Sequence, residues 1–495
     1  MLFNSVEFIF LFLPFTFFVY FFLNRKRLLI ASKAWLLFSS MFFYSWWNII
    51  YLPLIITSIF VNFLISSNII NFDKNKKINF SKKKMLMIGL FFNIGLLGYF
   101  KYMDFFIENA NFIFGTNIGL INLILPLAIS FFTLQQIAFL VDSYEGLIKE
   151  KNFLNYATFV SFFPQLIAGP IVYHNEMMHQ FTNLKKKVIN YKNIITGLFI
   201  FSIGLFKKVV IADTFAAWAT NGFDVSSSLN FFEAWFTSFS YTFQLYFDFS
   251  GYTDMAIGAA LLFNINLPQN FNSPLKSTSI IEFWSRWHIT LTRFITTYIY
   301  TPIVRSFENL SFSKAMIATF VTFLISGLWH GASWMFVIWG GLHGLALVIN
   351  HIWRKKLKIK MNKFLAWVIT FNFINFSLVF FRANNLDDAI KLLKGMTDVS
   401  NIVIPSSLHS SLGFLSHFGI KFGGFMNNIL FEQGFEKLWG IAYLFVAFFI
   451  VLFFKNTSSI CENKRYIEKY YFFAAMFVFA TLRLNEYSEF IYFRF

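Results

Sequence analysis

The sequence predicts an all-α polytopic membrane protein. Of its 495 residues, 57% are hydrophobic and only 13% are charged, whereas soluble domains carry about 25% charged residues. Uncharged apolar runs such as 8–23 and 35–47 recur along the chain, and roughly 20 apolar residues cross the hydrocarbon core of a bilayer. The first of these runs lacks a basic leader and a small-residue cleavage site, so we expect a membrane span rather than a signal peptide.

Positive charge is concentrated in short segments between the apolar runs. The net charge is +17, which in a soluble protein would suggest a nucleic-acid ligand. Here the pattern is typical of cytoplasmic loops and lipid-headgroup contacts, because Lys and Arg mark the cytoplasmic side of a membrane protein. We therefore expect no nucleic-acid binding. The main clusters are Arg25–Arg27, Lys74–Lys84, Lys149–Lys151, Lys185–Lys187 and Arg354–Lys360.

Each early pair of predicted spans returns the chain to its cytoplasmic side, as these clusters require. The predicted spans are 33–49, 52–71, 86–100 and 119–141. Only one apolar segment, 155–173, lies between the clusters Lys149–Lys151 and Lys185–Lys187. A single full crossing would place these two clusters on opposite sides of the membrane. The segment is broken by Pro164, Gly169 and Pro170. We predict a re-entrant hairpin, since irregular backbone at membrane depth needs protein or a water-filled cavity around it.

The remainder continues the alternation without a sign of a second domain, so 1–495 is treated as one domain. Segment 230–263 is expected to be one helix with a broken continuation, and 284–300 a partly buried helix that lines a cavity. The loop 383–438 and the tail 484–495 fall outside by charge parity. The other predicted spans are 194–212, 314–329, 332–352, 363–382, 440–455 and 470–483.

His330 is the first candidate for chemistry. It lies between two apolar runs and is flanked by Gly327 and Gly331, and glycines let a ligand approach the backbone. Imidazole suits proton transfer near neutral pH. The alternative is a histidine whose only role is to bond a carbonyl in the helix bundle. Trp329 and Trp334 beside it are equally compatible with interfacial anchoring.

A second group gathers polar residues around His288. Asn270, Asn272, Arg286 and Trp287 accompany it within a short segment, and polar groups in a membrane are functional candidates. Two histidines also raise the possibility of a metal site. However, no HxxxH or HExxH spacing is present and no carboxylate neighbours either histidine in sequence, so no metal is predicted. The single Cys461 excludes an internal disulfide and a cysteine-based cluster.

A third group lies in the segment 244–254, where two acids, two tyrosines and a serine interrupt an apolar stretch. These side chains have two possible roles: hydrogen bonding to a substrate, or bracing the other polar helices.

Six segments, taken together, resemble the membrane-bound O-acyltransferase family and especially its bacterial branch. They run in the family's order over most of the chain, with one departure at Ala128, where the family pattern has glycine. The matching segments are 126–136, 163–170, 246–254, 270–272, 283–290 and 328–331.

The resemblance implies a ring of about eleven transmembrane helices, with re-entrant or partly buried helices, around a central funnel. It implies that His330 is the essential membrane-buried histidine and that His288 is the second histidine of the bacterial branch. Acetyl-CoA is the implied donor, with no bound cofactor. The candidate substrate-binding residues within these segments are Trp329, Arg286, Trp287, Asn270, Asp248, Tyr252 and Gln135.

The chain ends in Phe490-Ile-Tyr-Phe-Arg-Phe495, which resembles the F-x-Y-x-x-F motif of the small carrier partner in teichoic-acid D-alanylation. The resemblance implies that Tyr492 carries the acyl group on the outer side; the alternative is an apolar interfacial tail. A bacterial plasma (inner) membrane location is implied. So is an extracytoplasmic esterase-like partner of the SGNH/GDSL type, with a cell-envelope polysaccharide such as peptidoglycan or alginate as final acceptor.

Two rival functions stay open at this stage. A polysaccharide or lipid transporter shares the many spans and the polar interior, although transporters often contain internal repeats and none is evident here. A lipid or protein acceptor would keep the chemistry and change only the substrate.

Overall fold

Helices make up most of the structure. The computed structural model describes residues 1–72, 81–148, 150–167, 169–424, 426–430, 435–462 and 470–484. Several sequence predictions fall outside the described residues: Lys149, Tyr492 with the rest of the tail 485–495, and the basic clusters within 73–80 and 463–469.

The first half of the chain contains twelve helices in the described part, several of them extended by π-helical turns at 7–12, 98–102, 207–212 and 221–225. They are α1 (Leu13–Arg25), α2 (Leu29–Ser45), α3 (Leu52–Ile70), α4 (Lys82–Leu97), α5 (Met103–Phe114), α6 (Ile129–Tyr144), α7 (Phe153–Ser161), α8 (Phe163–Leu166), α9 (His174–Thr182), α10 (Tyr191–Phe206), α11 (Asp213–Thr220) and α12 (Phe231–Leu262).

The second half continues with helices and one small parallel sheet. The helices are α13 (Ile280–Arg286), α14 (Ile289–Ile295), α15 (Thr301–Arg305), α16 (Phe312–His330), α17 (Trp334–Ile352), α18 (Lys363–Arg382), α19 (Leu386–Thr397), α20 (His409–Leu412), α21 (Phe435–Phe453), α22 (Thr457–Glu462) and α23 (Tyr470–Leu482). Strands β1 (Val403–Pro405) and β2 (Lys421–Gly423) pair in parallel within the predicted outer loop.

Seven of the described helical segments are long and apolar enough to cross a membrane, which confirms a multi-pass membrane protein. Three shorter apolar helices accompany them, at Leu29–Ser45, Leu438–Phe453 and Tyr471–Leu482. The count of about eleven spans and the funnel stay predictions. The seven segments are Glu7–Arg25, Ile49–Ile70, Lys82–Phe114, Tyr191–Val225, Phe312–His330, Trp334–Leu357 and Lys363–Arg382.

Three predicted elements differ from the structure. The single helix expected over 284–300 is wrong, because α13 ends at Arg286 and His288 has a left-handed backbone before α14 begins at Ile289. The expected break within 230–263 is wrong, because α12 is one continuous helix. Its glycines make contact with α10 instead of interrupting the helix: a Cβ on Gly258 would lie 2.6 Å from Gly197 O. The predicted span 119–141 also begins later, at Ile129. The carboxylate of Asp104 accepts the backbone N–H groups of residues 121 and 122 instead, at 2.7 and 3.0 Å.

The segment 155–173 is broken as predicted. Helix α7 ends at Ser161, the four-residue α8 follows, and residues 169–173, which form neither helix nor strand, lead to α9. Two backbone N–H groups of this irregular stretch donate to side chains of other helices. Phe163 N donates to Ser40 Oγ at 3.1 Å, and Ile171 N donates to Thr290 Oγ1 at 3.0 Å. Buried backbone donors need such partners. The return to the same membrane side stays a prediction.

Helices α16 and α17 form a tight antiparallel pair. A Cβ on Gly327 would lie 2.3 Å from Phe336 O, and one on Gly340 would lie 2.4 Å from Phe323 O. Small residues at such a crossing let two backbones approach closely within a membrane. The chain between the two helices is only three residues long, so this crossing fixes the position of His330 at the end of α16.

Candidate active site

His330 is the last residue of α16 and is 3% exposed. Its imidazole lies among three aromatic side chains, with ring centroids 4.9 Å from Trp329, 5.0 Å from Trp339 and 5.2 Å from Phe381. Lys101, His288 and His343 lie within electrostatic reach of the ring. The sequence-predicted histidine is therefore buried at a helix break, surrounded by aromatic rings and other ionisable groups.

A narrow cavity adjoins His330. Its volume is about 20 Å³, which is room for about one water molecule. Most of its lining is apolar, so a proton-transferring group inside it is shielded from bulk water. The lining residues are Thr242, Leu245, Leu275, Phe283, Trp287, His330, Trp339, His343, Ile374, Leu378 and Phe381.

His288 is fully buried and begins α14 with a left-handed backbone, at φ 44°. Its Nδ1 lies 3.2 Å from Asn270 Oδ1, and the same oxygen accepts hydrogen bonds from Thr290 N at 3.2 Å and Thr290 Oγ1 at 2.9 Å. An amide oxygen only accepts, so Nδ1 of His288 must carry the proton. In neutral His288 the lone pair available for proton transfer therefore resides on Nε2.

Sequence reasoning missed His343, although a histidine inside a predicted span is a functional signal. Trp284 Nε1–H donates to His343 Nδ1 at 3.2 Å, and His343 Nε2 lies 2.9 Å from Ser377 Oγ. Because Nδ1 accepts, Nε2 must carry the proton of the neutral ring. Both nitrogens of His343 are thus engaged, and the residue braces the cavity wall between α13, α17 and α18.

Three other polar residues near His330 were also missed. Thr242 Oγ1 donates to Asn375 Oδ1 at 2.7 Å, which joins α12 to α18 beside the cavity. Trp339 lines the cavity, and its Nε1–H has no hydrogen-bond partner among the described residues. Trp339 and His343 are four residues apart and so share one helix face, a spacing that was visible in the sequence.

Three of the seven predicted substrate-binding residues lie beside the narrow cavity or one of the two predicted histidines, and the other four do not. Trp287 lines the cavity and stacks on Phe283 at 5.5 Å, and Asn270 orients His288. Trp329 contacts the His330 ring from outside the cavity lining. Arg286, by contrast, pairs with Glu282 at 2.8 Å and is about one-third exposed.

Asp248, Tyr252 and Gln135 are buried but do not belong to the cavity lining. Asp248 pairs with Lys208 at 2.6 Å, which joins α12 to the π-helical turn after α10. Tyr252 stacks on Phe3 at 4.7 Å. Gln135 is buried within α6. These placements fit a bracing role, which was the alternative drawn from the sequence for residues 244–254.

A second, wider cavity of about 330 Å³ begins immediately after His330. Its polar lining comes from Lys101, Asp104 and Ser333. By charge parity it lies on the predicted outer side of the membrane. The other lining residues are Tyr99, Phe100, Met103, Ile121, Leu123, Leu125, Gly331, Ala332 and Phe336.

Comparison with known proteins gives consistent matches. A model of MBOAT, the membrane-bound O-acyltransferase family, matches residues 142–386. The chain is 49% identical over 432 residues to the peptidoglycan O-acetyltransferase of Helicobacter pylori, with 81% of each chain covered. It is 35% identical over 409 residues to the probable alginate O-acetylase AlgI of Pseudomonas aeruginosa, covering 80% of this chain and 75% of that relative.

A more distant relative is also named as a transferase that acts on a cell-envelope polymer. The teichoic acid D-alanyltransferase of Bacillus subtilis is 28% identical over 273 residues, covering 52% of this chain and 69% of the relative. These names support an O-acyltransferase rather than the transporter that the sequence alone left open. The extended similarity agrees with the multiple spans and with the buried histidine at the end of α16. The chain therefore belongs to the membrane-bound O-acyltransferase family.

Proposed function

We propose that this O-acyltransferase takes an acetyl group from acetyl-CoA, a cytoplasmic thioester, and passes it across the plasma (inner) membrane for O-acetylation of peptidoglycan. Peptidoglycan is preferred over alginate because the relative named for peptidoglycan is 49% identical, against 35% for the one named for alginate. The family resemblance supports the acyl donor and the membrane, and the charge pattern supports the direction of transfer.

The observation that carries the proposal is the place of His330 between two cavities. The narrow cavity holds the imidazole, and the wider cavity begins at the next residue, on the predicted outer side. Once the narrow cavity widens, a donor can reach His330 from one side of the membrane and an acceptor can reach it from the other. The cavity as it stands is too small for a thioester, so binding of the donor must open it.

His330 then acts as a general base. It removes the proton of an attacking hydroxyl as the oxygen bonds to the thioester carbonyl carbon. The carbon–sulfur bond breaks, and the imidazolium returns the proton to the departing thiolate. The transfer therefore consumes no net proton and no redox equivalent. His288, held as the Nδ1–H tautomer, is the second imidazole of the site.

The attacking hydroxyl in this proposal belongs to Tyr492. A thiol has a pKa near 8.5, if cysteine is a fair guide to coenzyme A, and tyrosine about 10, while a sugar hydroxyl is a weaker acid still. Leaving-group quality tracks acid strength, so thioester, phenolic ester and sugar ester form a downhill series. The acylated tail then offers its ester to an extracytoplasmic SGNH/GDSL-type transferase, which acetylates the polymer.

The test is covalent labelling of the membrane protein by radiolabelled acetyl-CoA. We expect Tyr492→Phe to abolish the label, and Tyr487→Phe, a second tyrosine of the same tail, to retain it. We expect His330→Ala to lose the label at a normal protein level. Wild-type labelling of Tyr492→Phe would exclude the carrier step, and wild-type labelling of His330→Ala would exclude the base.

A further inference from the structure

Lys101 lies within the helical segment Lys82–Phe114, which is long and apolar enough to cross a membrane, in the π-helical turn Gly98–Tyr102. Lysine at membrane depth is costly and marks a functional site by default, and π-helical turns within α-helices are frequent at such sites. The family segments singled out in the sequence do not include this turn, and the chemistry proposed above does not use it.

The side chain of Lys101 reaches the end of α16. Its Nζ donates to Trp329 O at 2.7 Å, His330 O at 3.0 Å and Ser130 Oγ at 3.2 Å. The adjacent Tyr102 donates its hydroxyl to Leu328 O at 2.7 Å. Two consecutive side chains therefore bond the carbonyls of the last three residues of α16.

These carbonyls need partners because the last four carbonyls of an α-helix have none inside the helix. Gly331 continues in an extended conformation, at φ −164° and ψ 153°, so no left-handed turn caps the helix end. The ammonium of Lys101 also complements the partial negative charge at a helix C-terminus. The end of α16 is thus fixed mainly from the neighbouring helix.

We propose that Lys101 and Tyr102 are positioning residues that hold the His330 backbone, and with it the imidazole, at the place where acyl transfer occurs. This inference rests on the proposed role of His330 as the base. An ammonium has three protons to donate, and the three contacts of Lys101 occupy them all. Lys101 therefore acts through the position of His330 rather than by binding the substrate.

The kinetic consequence is a fall in kcat without a change in the KM for the donor. A misplacement of about 1 Å at a reacting group costs on the order of a hundredfold in rate. We expect Lys101→Met to lower kcat about tenfold to a hundredfold. Tyr102→Phe removes one neutral hydrogen bond and should lower kcat by roughly three- to fivefold.

The experiment measures the rate of thiol release from acetyl-CoA by the full-length protein purified in detergent. Without the acceptor polymer each enzyme releases one thiol as Tyr492 is acylated, so the rate of this single turnover at saturating donor is read as kcat and the half-saturating donor concentration as KM. Lys391→Met is the matched control, because Lys391 Nζ donates to two backbone carbonyls, Phe223 O and Ser226 O, both at 2.8 Å and away from His330. We expect Lys391→Met to keep the wild-type kcat. Lys101→Arg keeps the cation and several donors, so it should recover at least part of the rate that Lys101→Met loses.

The outcomes separate this inference from the proposed function. A wild-type kcat in Lys101→Met overturns the positioning role, and so does a raised KM at constant kcat, which would indicate donor binding. An inactive His330→Ala beside an unaltered Lys101→Met refutes the positioning role alone, whereas a fully active His330→Ala refutes the base. If Lys101→Met does not accumulate, Tyr102→Phe decides, and an unchanged kcat there counts against the proposal.

Discussion

His288 Nδ1 lies 3.2 Å from Asn270 Oδ1, and this contact determines which nitrogen of the imidazole carries the proton. The two residues are 18 apart in sequence. They are also joined through the backbone, because Ile289 N donates to Asn270 O at 3.0 Å. The left-handed conformation of His288 turns the chain into α14 at this point, so Asn270 fixes both the ring and the start of the helix.

Asn270→Leu should lower the rate of acyl transfer about tenfold or more, because His288 loses the acceptor that selects its tautomer and part of a general acid–base contribution is lost with it. Asn270→Asp keeps an acceptor oxygen and should retain more activity than Asn270→Leu. The measurement is acetyl-CoA turnover by membranes at matched protein level. Asn372→Leu is the control, since Asn372 donates to Val368 O of its own helix and to no other group among the described residues. Equal rates in Asn270→Leu and Asn372→Leu would contradict the prediction.

His343→Phe should lower thermal stability more than His330→Phe does. The substitution keeps an aromatic ring but leaves Trp284 Nε1–H without its acceptor, and a buried donor without a partner costs about 1–3 kcal/mol. His330 is expected to affect turnover instead, with little change in unfolding temperature. Thermal unfolding in detergent, monitored alongside acetyl-CoA turnover, separates the two residues. If His343→Phe unfolds at the wild-type temperature, the bracing role of His343 is wrong.

Much of the membrane architecture was predictable because apolar runs and basic clusters alternate along the chain. Helix α18, for example, occupies the predicted 363–382. The start of α6 was not predictable by the same signal, since 119–128 is about as apolar as a span. Asp104 draws that stretch into irregular backbone through two hydrogen bonds, and a contact between distant residues leaves no periodic pattern.

The candidate site was only partly predictable for a similar reason. His330 and His288 stand out because motifs surround them. Part of the wall of the narrow cavity is built by Phe381, Ile374 and Leu378 from α18, a segment that the sequence identifies only as a span. Whether a polar residue such as Asn375 or His343 faces the site or a neighbouring helix depends on how the helices rotate against each other, which their own sequences do not determine.

Two adjacent glycines of α17 should respond very differently to alanine. A Cβ on Gly340 would lie 2.4 Å from Phe323 O, a backbone atom, whereas one on Gly341 would meet only Leu324 Cδ2 at 3.5 Å. Gly340→Ala must therefore push α17 away from α16 and should cost about 1–3 kcal/mol of stability. Gly341→Ala should be close to neutral.

The same displacement moves the cavity wall carried by α17 relative to His330. We therefore expect Gly340→Ala to lose most of its acetyl-CoA turnover and Gly341→Ala to keep it. Thermal unfolding and turnover measured on both variants test the two parts together. A Gly340→Ala protein as stable and active as Gly341→Ala would show that the helix pair is looser than its contacts indicate.

Lys187 should make the stability of the protein rise with pH above about 8. The residue lies in a short turn outside the predicted spans, and its Nζ donates to Tyr20 OH at 2.9 Å. Burial, with a smaller contribution from the nearby charge of Lys33, lowers the pKa of Lys187 to about 8 from its ordinary 10.5. Between these two pH values the unfolded chain holds a proton that the folded chain has released. Raising the pH therefore favours the folded state, by at most about 1.4 kcal/mol per pH unit.

The measurement is the change in unfolding temperature between pH 7.5 and pH 9.5 in detergent. Lys187→Met should remove most of the rise seen in the wild type, whatever its effect on stability at a single pH. Lys185→Met, which alters an exposed lysine of the same turn, should leave the rise intact. Because the comparison uses the slope with pH and not the absolute stability, loss of the Tyr20 hydrogen bond in Lys187→Met does not affect the conclusion. An unchanged slope in Lys187→Met would assign the pH dependence to other groups.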